Sequence, residues 1–183
     1  TYTDGDRAGD KISRKSTSGG IAFLGFHCIK SWSSNQTIIA LSSAEAELYA
    51  LLKGAGQSLG LKSMWADFGD ELNVGLWSDA SAAIAISQRS GLGKLRHIQT
   101  QHLWLQERVS AKDVGLTKVV VTANPADMLT KSDVSRANAA LSQLLRSGCF
   151  RLLDESGEIE ERRRTGIKPR RSKKASLDIL RSD

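Results

Sequence analysis

Over residues 1–40 the apolar positions alternate or form short runs, after which the chain changes to a helical period. Tyr2 to Asp6 predicts a short strand. Beyond the polar loop Asp10 to Ser18, the stretch from Gly19 to Ser33 mixes β-branched and aromatic residues around Gly25. It predicts two strands, about 19–26 and 28–34, paired as a hairpin, and Thr37 to Ala40 predicts a third extended segment leading directly into a helix. That helix begins in a capping box, with Ser42 as N-cap and Glu45 three residues on. Leu48, Leu51, Leu52, Ala55 and Leu59, then Met64, Trp65 and Phe68, carry it to about residue 68. Asn73 to Ser78 predicts a buried strand and Asp79 to Ser87 a short alanine-rich helix, the alternation of an α/β crossover.

Farther on, Leu95, Ile98, His102, Leu105 and Val109 make an apolar stripe with one polar member, which predicts an amphipathic helix and a packed His102. Leu116 to Thr122, with the run Val119-Val-Val, predicts a strand. Asn124 is a good N-cap and Pro125 suits the first helical position, so the last helix is expected from 125 to about 147. The order βββαβααβα describes an α/β fold.

Phe150 is the last aromatic residue of the 183, and the chain beyond it is dense in charge, with Arg162-Arg-Arg and Lys168-Pro-Arg-Arg-Ser-Lys-Lys. We therefore expect one domain over residues 1–147 and a disordered basic tail over 148–183. The apolar runs are far shorter than the roughly 20 residues that span a bilayer, and no secretory leader is visible at the start. Cys28 and Cys149 form neither a CxxC pair nor a disulfide framework, so a reducing, intracellular setting is expected, cytoplasmic or nuclear, with no membrane partner. Lys and Arg number 26 against 20 Asp and Glu, a net charge of +6 that leans mildly toward nucleic acid.

Four carboxylates stand at the ends of predicted strands and the starts of predicted helices: Asp4, Glu47, Asp79 and Asp127. Each has a plain explanation when taken alone. Asp79 suits a helix N-cap, and Asp127, third after Asn124, suits the helix dipole. The string from Asp4 resembles a calcium loop only superficially, because Ala8 and Lys15 occupy ligand positions. Glu45 and Glu47 lie about 200° apart around a helix, so only one can face a given site. Glu45 is engaged by the cap, which leaves Glu47.

Taken together, these carboxylates form the arrangement that binds two divalent metal ions. Phosphodiester hydrolysis requires an activated water and a stabilised leaving oxyanion, and two Mg²⁺ ions about 4 Å apart supply both. Carboxylates are the hard oxygen donors that Mg²⁺ prefers. Clustered without a cation, they would repel one another strongly.

Seven strings then resemble one family: Tyr2-Thr-Asp-Gly-Asp-Arg-Ala-Gly, Arg14-Lys-Ser-Thr-Ser-Gly-Gly, Ser31-Trp-Ser-Ser, Ala40-Leu-Ser-Ser-Ala-Glu-Ala-Glu-Leu-Tyr-Ala-Leu, Trp77-Ser-Asp-Ala-Ser-Ala-Ala-Ile, Arg96-His-Ile and Ala126-Asp-Met-Leu-Thr-Lys. They occur in the order found in the ribonuclease H domain of copia-type retrotransposon Pol polyproteins and cover about residues 1–131. The resemblance implies a ribonuclease H-like fold, a five-stranded mixed sheet with flanking helices. It also implies an endonuclease that cuts the RNA strand of an RNA–DNA hybrid using two Mg²⁺, with Mn²⁺ as an alternative. By motif, the catalytic and metal-binding residues would be Asp4, Glu47, Asp79 and Asp127, and the partner an upstream reverse transcriptase in the same polyprotein. Arg14, Lys15, Lys94 and Arg96, all in predicted loops, are the candidates for phosphate contact. His97 belongs to the Arg-His-Ile string, and the sequence assigns it no role.

Two positions depart from the family pattern: Arg7 stands where tryptophan is usual, and Gln99 where an aspartate comes after His-Ile. Only three residues precede Asp4, which predicts a shortened central strand and a lower stability than an upstream-extended chain would have. A second reading is therefore a catalytically silent relic that binds nucleic acid or connects to a reverse transcriptase. A third is a DNA-cutting nuclease of the same fold.

Overall fold

The structure, a computed structural model, describes residues 1–91 and 101–131. Strands β1 (Tyr2–Gly5), β2 (Thr17–Leu24) and β3 (His27–Asn35) form an antiparallel meander. Helix α1 (Ser43–Asp67) then crosses the sheet, and β4 (Val74–Ser78), α2 (Ser81–Gln88), α3 (Gln101–Ser110) and β5 (Val114–Lys118) come next. Two 3₁₀ turns, Val121–Ala123 and Pro125–Leu129, complete the described chain. The sheet order is β3-β2-β1-β4-β5, with β4 parallel to both β1 and β5. This is the predicted five-stranded mixed sheet.

The hairpin forms where the alternation predicted it, turning at Gly25, whose φ of +59° suits glycine. Its register slips between Ala22 and Phe23, opposite Lys30 and Cys28, so Ile29 is the extra residue of a bulge. The segment from Thr37 to Ala40 is not a strand. Gln36, just before it, turns the chain out of the sheet by donating to Ser18 Oγ at 2.9 Å and to the Ala46 carbonyl at 2.8 Å.

Helix α1 starts as its cap predicts. Ser42 Oγ accepts from Glu45 N at 3.2 Å, while Glu45 Oε2 accepts from Leu41 N at 2.8 Å, closing the box one residue earlier than usual. The inner face of α1, Leu48, Leu51 and Ala55, packs with Leu76, Ala83, Leu105 and Val114 into one core. On the other face of the sheet Tyr2 stacks on Trp77 at 5.3 Å and meets Phe23 edge-on at 5.9 Å. His102 is buried against Tyr49, ring centroids 5.0 Å apart, the packed position the stripe predicted. Leu95 and Ile98 of that stripe lie outside the described residues.

The last strand differs from its prediction. Val119-Val-Val reads as strand, yet β5 spans Val114–Lys118 and leaves the sheet there. Its parallel partner β4 ends at Ser78, paired with Lys118, so residues beyond have no strand to join. Val120 and Val121 are exposed, and Val121 enters a 3₁₀ turn. The predicted helix from 125 is a 3₁₀ turn through Leu129. From residue 132 that helix and the basic tail lie outside the described residues.

Candidate metal centre

Asp4 is carried by the central strand β1. Parallel β4 lies beside β1, so its end at Ser78 delivers Asp79 to the same edge of the sheet. Asp79 is not the N-cap of α2: that place belongs to Ala80, which makes no side-chain cap bond. The plain explanation for Asp79 is thereby removed.

Glu47 reaches the strands because two glycines let α1 lie directly on β1. A β-carbon on Gly5 would sit 2.7 Å from the Ala46 carbonyl oxygen, and one on Gly54 only 2.3 Å from Thr3 Cγ2. Side chains at either position would lift the helix. In the close packing that results, Asp4, Glu47 and Asp79 each offer a carboxylate oxygen, all within 4.8 Å of one another.

Asp127 arrives by a separate route. Asn124 accepts from Ala126 N at 3.2 Å as the cap of the 3₁₀ turn, while its Nδ2 donates to the carbonyl of Thr3 at 3.0 Å. One buried side chain thus fixes the turn to the residue before Asp4. The next contact along is Thr130, whose hydroxyl donates to Asp4 Oδ2. Asp127 itself is not part of the three-carboxylate cluster among the described residues. It is ion-paired to Lys131, Nζ to Oδ1 2.5 Å.

Burial and mutual repulsion oppose ionisation of the clustered carboxylates. Burial, with the charges of Asp4 and Asp79 added, pushes the Glu47 carboxyl up to about 9, against a smaller downward pull from the Gly5 N–H. Burial also raises Asp4 to about 6, opposed by the Thr130 hydroxyl and reinforced by Asp127 and Asp79. Glu47 Oε2 and Asp79 Oδ1 are buried with no hydrogen-bond partner. Buried carboxylate oxygens left without donors are costly. A hard divalent cation would satisfy both, and an all-carboxylate donor set suits Mg²⁺ or Mn²⁺.

Beside the cluster lies an open groove of about 850 Å³, bordered by Asp6, Thr17, Ser33, Asn35, Thr130 and Lys131. Arg14 is exposed on the β1–β2 loop with a left-handed φ of 58°, and Lys15 beside it is half-buried. Lys94, Arg96 and His97 lie outside the described residues. Thr130 and Lys131 are contacts that sequence reasoning passed over. The signal for Lys131 was its i+4 spacing from Asp127.

A mixed sheet of this order, with α1 across one face and carboxylates gathered at the β1–β4 edge, defines a ribonuclease H-like domain. Its homologues are retrovirus-related Pol polyproteins of copia-type transposons. It is 33% identical over 132 residues to the Pol polyprotein of transposon TNT 1-94 of Nicotiana tabacum, a match that covers 71% of this chain and 10% of that protein. To the Pol polyprotein of transposon RE1 of Arabidopsis thaliana it is 29% identical over 134 residues, 71% of this chain and 9% of that protein. The chain thus spans about a tenth of the length of these relatives. No protein-family profile matches it. Among solved structures, ribonuclease H1 from Halobacterium salinarum is 20% identical, with a TM-score of 0.48 over 78% of this chain and 96% of that one. The LC11 ribonuclease H1 isolated from compost is 16% identical, with a TM-score of 0.48 over 79% and 95%. No described helix is long and apolar enough to cross a membrane.

Proposed function

We propose that this domain is a divalent-metal-dependent endonuclease that hydrolyses the RNA strand of RNA–DNA hybrids. One observation carries the reading: Asp4, Glu47 and Asp79, from three separate elements, bring carboxylate oxygens within 4.8 Å of one another. Oxygens left unpartnered on Glu47 and Asp79 support it. Substrate choice rests on the sequence resemblance and on the homologous Pol polyproteins.

Asp4, Glu47 and Asp79 would hold one divalent cation, and Asp127 would contribute to a second. Ions held by these residues would supply an activated water and offset charge on the departing 3′ oxygen, giving 3′-hydroxyl and 5′-phosphate ends. The chain's own part is to hold its carboxylates fixed. Thr130 orients Asp4 by donating to Oδ2, and Asn124 holds the Asp127 turn against β1. Glu47 must lose its proton to become a ligand.

The open groove admits a polymer, and its hydroxyl and amide side chains, Thr17, Ser33 and Asn35, suit hydrogen bonding to 2′-hydroxyls, the groups that separate RNA from DNA. Arg14 and Lys15 would contact phosphates from the neighbouring loop, with Lys94 and Arg96 as further candidates. End-labelled RNA–DNA hybrid, duplex DNA and single-stranded RNA, each incubated with the 183-residue chain and Mg²⁺, test the reading. Cutting confined to the RNA of the hybrid is expected. Hybrid binding without cutting would favour a catalytically silent domain, and cutting of duplex DNA a different nuclease.

A further inference from the structure

The four carboxylates are not equivalent, and the difference has a named cause. Three converge on one another, while Asp127 is paired with the ammonium of Lys131 at 2.5 Å. The pair is fixed from below by the backbone, since Lys131 N donates to the Asp127 carbonyl at 3.3 Å. The same ammonium lies in the field of Asp4 and Asp79 as well as Asp127. It is therefore a positive charge tethered at the open side of the acidic cluster.

We propose that Lys131 is a built-in competitor for the second divalent cation, so that the site loads in order: one ion at Asp4, Glu47 and Asp79, then a second only as Lys131 gives up Asp127. This rests on the metal reading above and specifies how that site is filled. A single ammonium and a divalent cation cannot share Asp127 without direct repulsion at a few ångströms. The lysine can nevertheless yield. Its side chain is 56% exposed, and that of Asp127 29%, so the pair is a surface ion pair of modest strength and the ammonium can swing into water. Lysine suits this role better than arginine, being a compact charge on a flexible stem with no bidentate fork to clamp the carboxylate. Premature occupancy of the second position is discouraged, and without metal the carboxylate repulsion is partly offset.

Titration of the full chain with Mn²⁺, reading free ion by electron paramagnetic resonance, tests the order without using activity. The wild type is expected to show a tighter and a weaker event. Lys131→Met should tighten the weaker event by roughly fivefold or more, from relief of competition and of cation–cation repulsion, and leave the tighter one within about twofold. Lys131→Arg, which keeps the charge, should not tighten the weaker event, and Asp127→Asn should show the tighter event alone. Melting of the metal-free proteins by circular dichroism provides the folding control, with Lys131→Met expected to stay folded because the side chain is exposed. If Mn²⁺ binds but Lys131→Met leaves the weaker event unchanged, the competitor role is overturned while the metal site stands. If no chain binds Mn²⁺, both fall.

Discussion

Gly5 and Ala46 mark the point where α1 touches β1, so close that a β-carbon on Gly5 would lie 2.7 Å from the Ala46 carbonyl oxygen. Glu47, the next residue of the helix, is brought to Asp4 by that contact. Gly5→Ala must push backbone from backbone, and we expect a loss of roughly 1–3 kcal/mol in urea unfolding. The same variant should bind Mn²⁺ more weakly. Unchanged stability and affinity would show that the contact does not set the position of Glu47.

Removing charge at Glu47 should separate stability from function. Its carboxyl is pushed up to about 9 by burial and by Asp4 and Asp79, so near pH 7 the metal-free protein holds it protonated. Glu47→Gln copies that neutral form. The expected result is a metal-free melting temperature equal to or above the wild type at pH 8, with the stabilisation by Mn²⁺ largely lost. A variant that melts well below the wild type would contradict this.

Stability of the metal-free protein should fall as pH rises. The folded-state values of Glu47 and Asp4, about 9 and about 6, lie above ordinary values of 4.5 and 3.8, so between those limits the folded protein binds more protons than the unfolded chain. The slope of unfolding free energy with pH is then negative over that window, and the contribution is most favourable near its acid end. Melting should accordingly be higher near pH 5 than near pH 8 without metal. Saturating Mg²⁺ should reverse the order, because the ligands must be deprotonated to bind. Melting temperatures that rise with pH in a chelator would refute the assignment.

Asn124 ties the Asp127 turn to β1. Replacing it with alanine removes the cap on Ala126 N and leaves the Thr3 carbonyl without its side-chain donor. A cost of about 1–3 kcal/mol is expected from the lost cap and bond. Heteronuclear NMR should show shifts concentrated at Thr3, Asp4 and residues 125–130; shifts confined to the turn would argue against the tie.

Much of this arrangement was readable from local chemistry. The Ser42 and Glu45 box announced the start of α1 and released Glu47 from capping, and the Asn124-Pro125 pair announced the turn that carries Asp127. Strand β5 was misread because Val119-Val-Val has strand character by itself, whereas pairing stops where β4 stops, a nonlocal fact. Asp79 looked like an N-cap for the same reason: only the backbone shows that Ala80 takes that place without a side-chain bond. Convergence of Asp4, Glu47 and Asp79 depends on Gly5 and Gly54, whose importance emerges only once helix and strand are in contact. The ion pair that sets Asp127 apart was present in the i, i+4 spacing to Lys131, but spacing alone does not reveal that the cation faces a carboxylate cluster.

The most direct measurement is cleavage of an RNA–DNA hybrid by the purified chain in Mg²⁺, with Asp79→Asn alongside. Asp79 is half-buried, makes no helix cap and has an unpartnered buried oxygen, so this substitution should spare the fold while removing a ligand. The account predicts Mg²⁺-dependent cutting of the RNA strand by the wild type and a loss of at least about 100-fold in the variant, the scale expected when a group that stabilises transition-state charge is removed. Equal cutting by both proteins, or none by a folded wild type in Mg²⁺ and Mn²⁺, would contradict it.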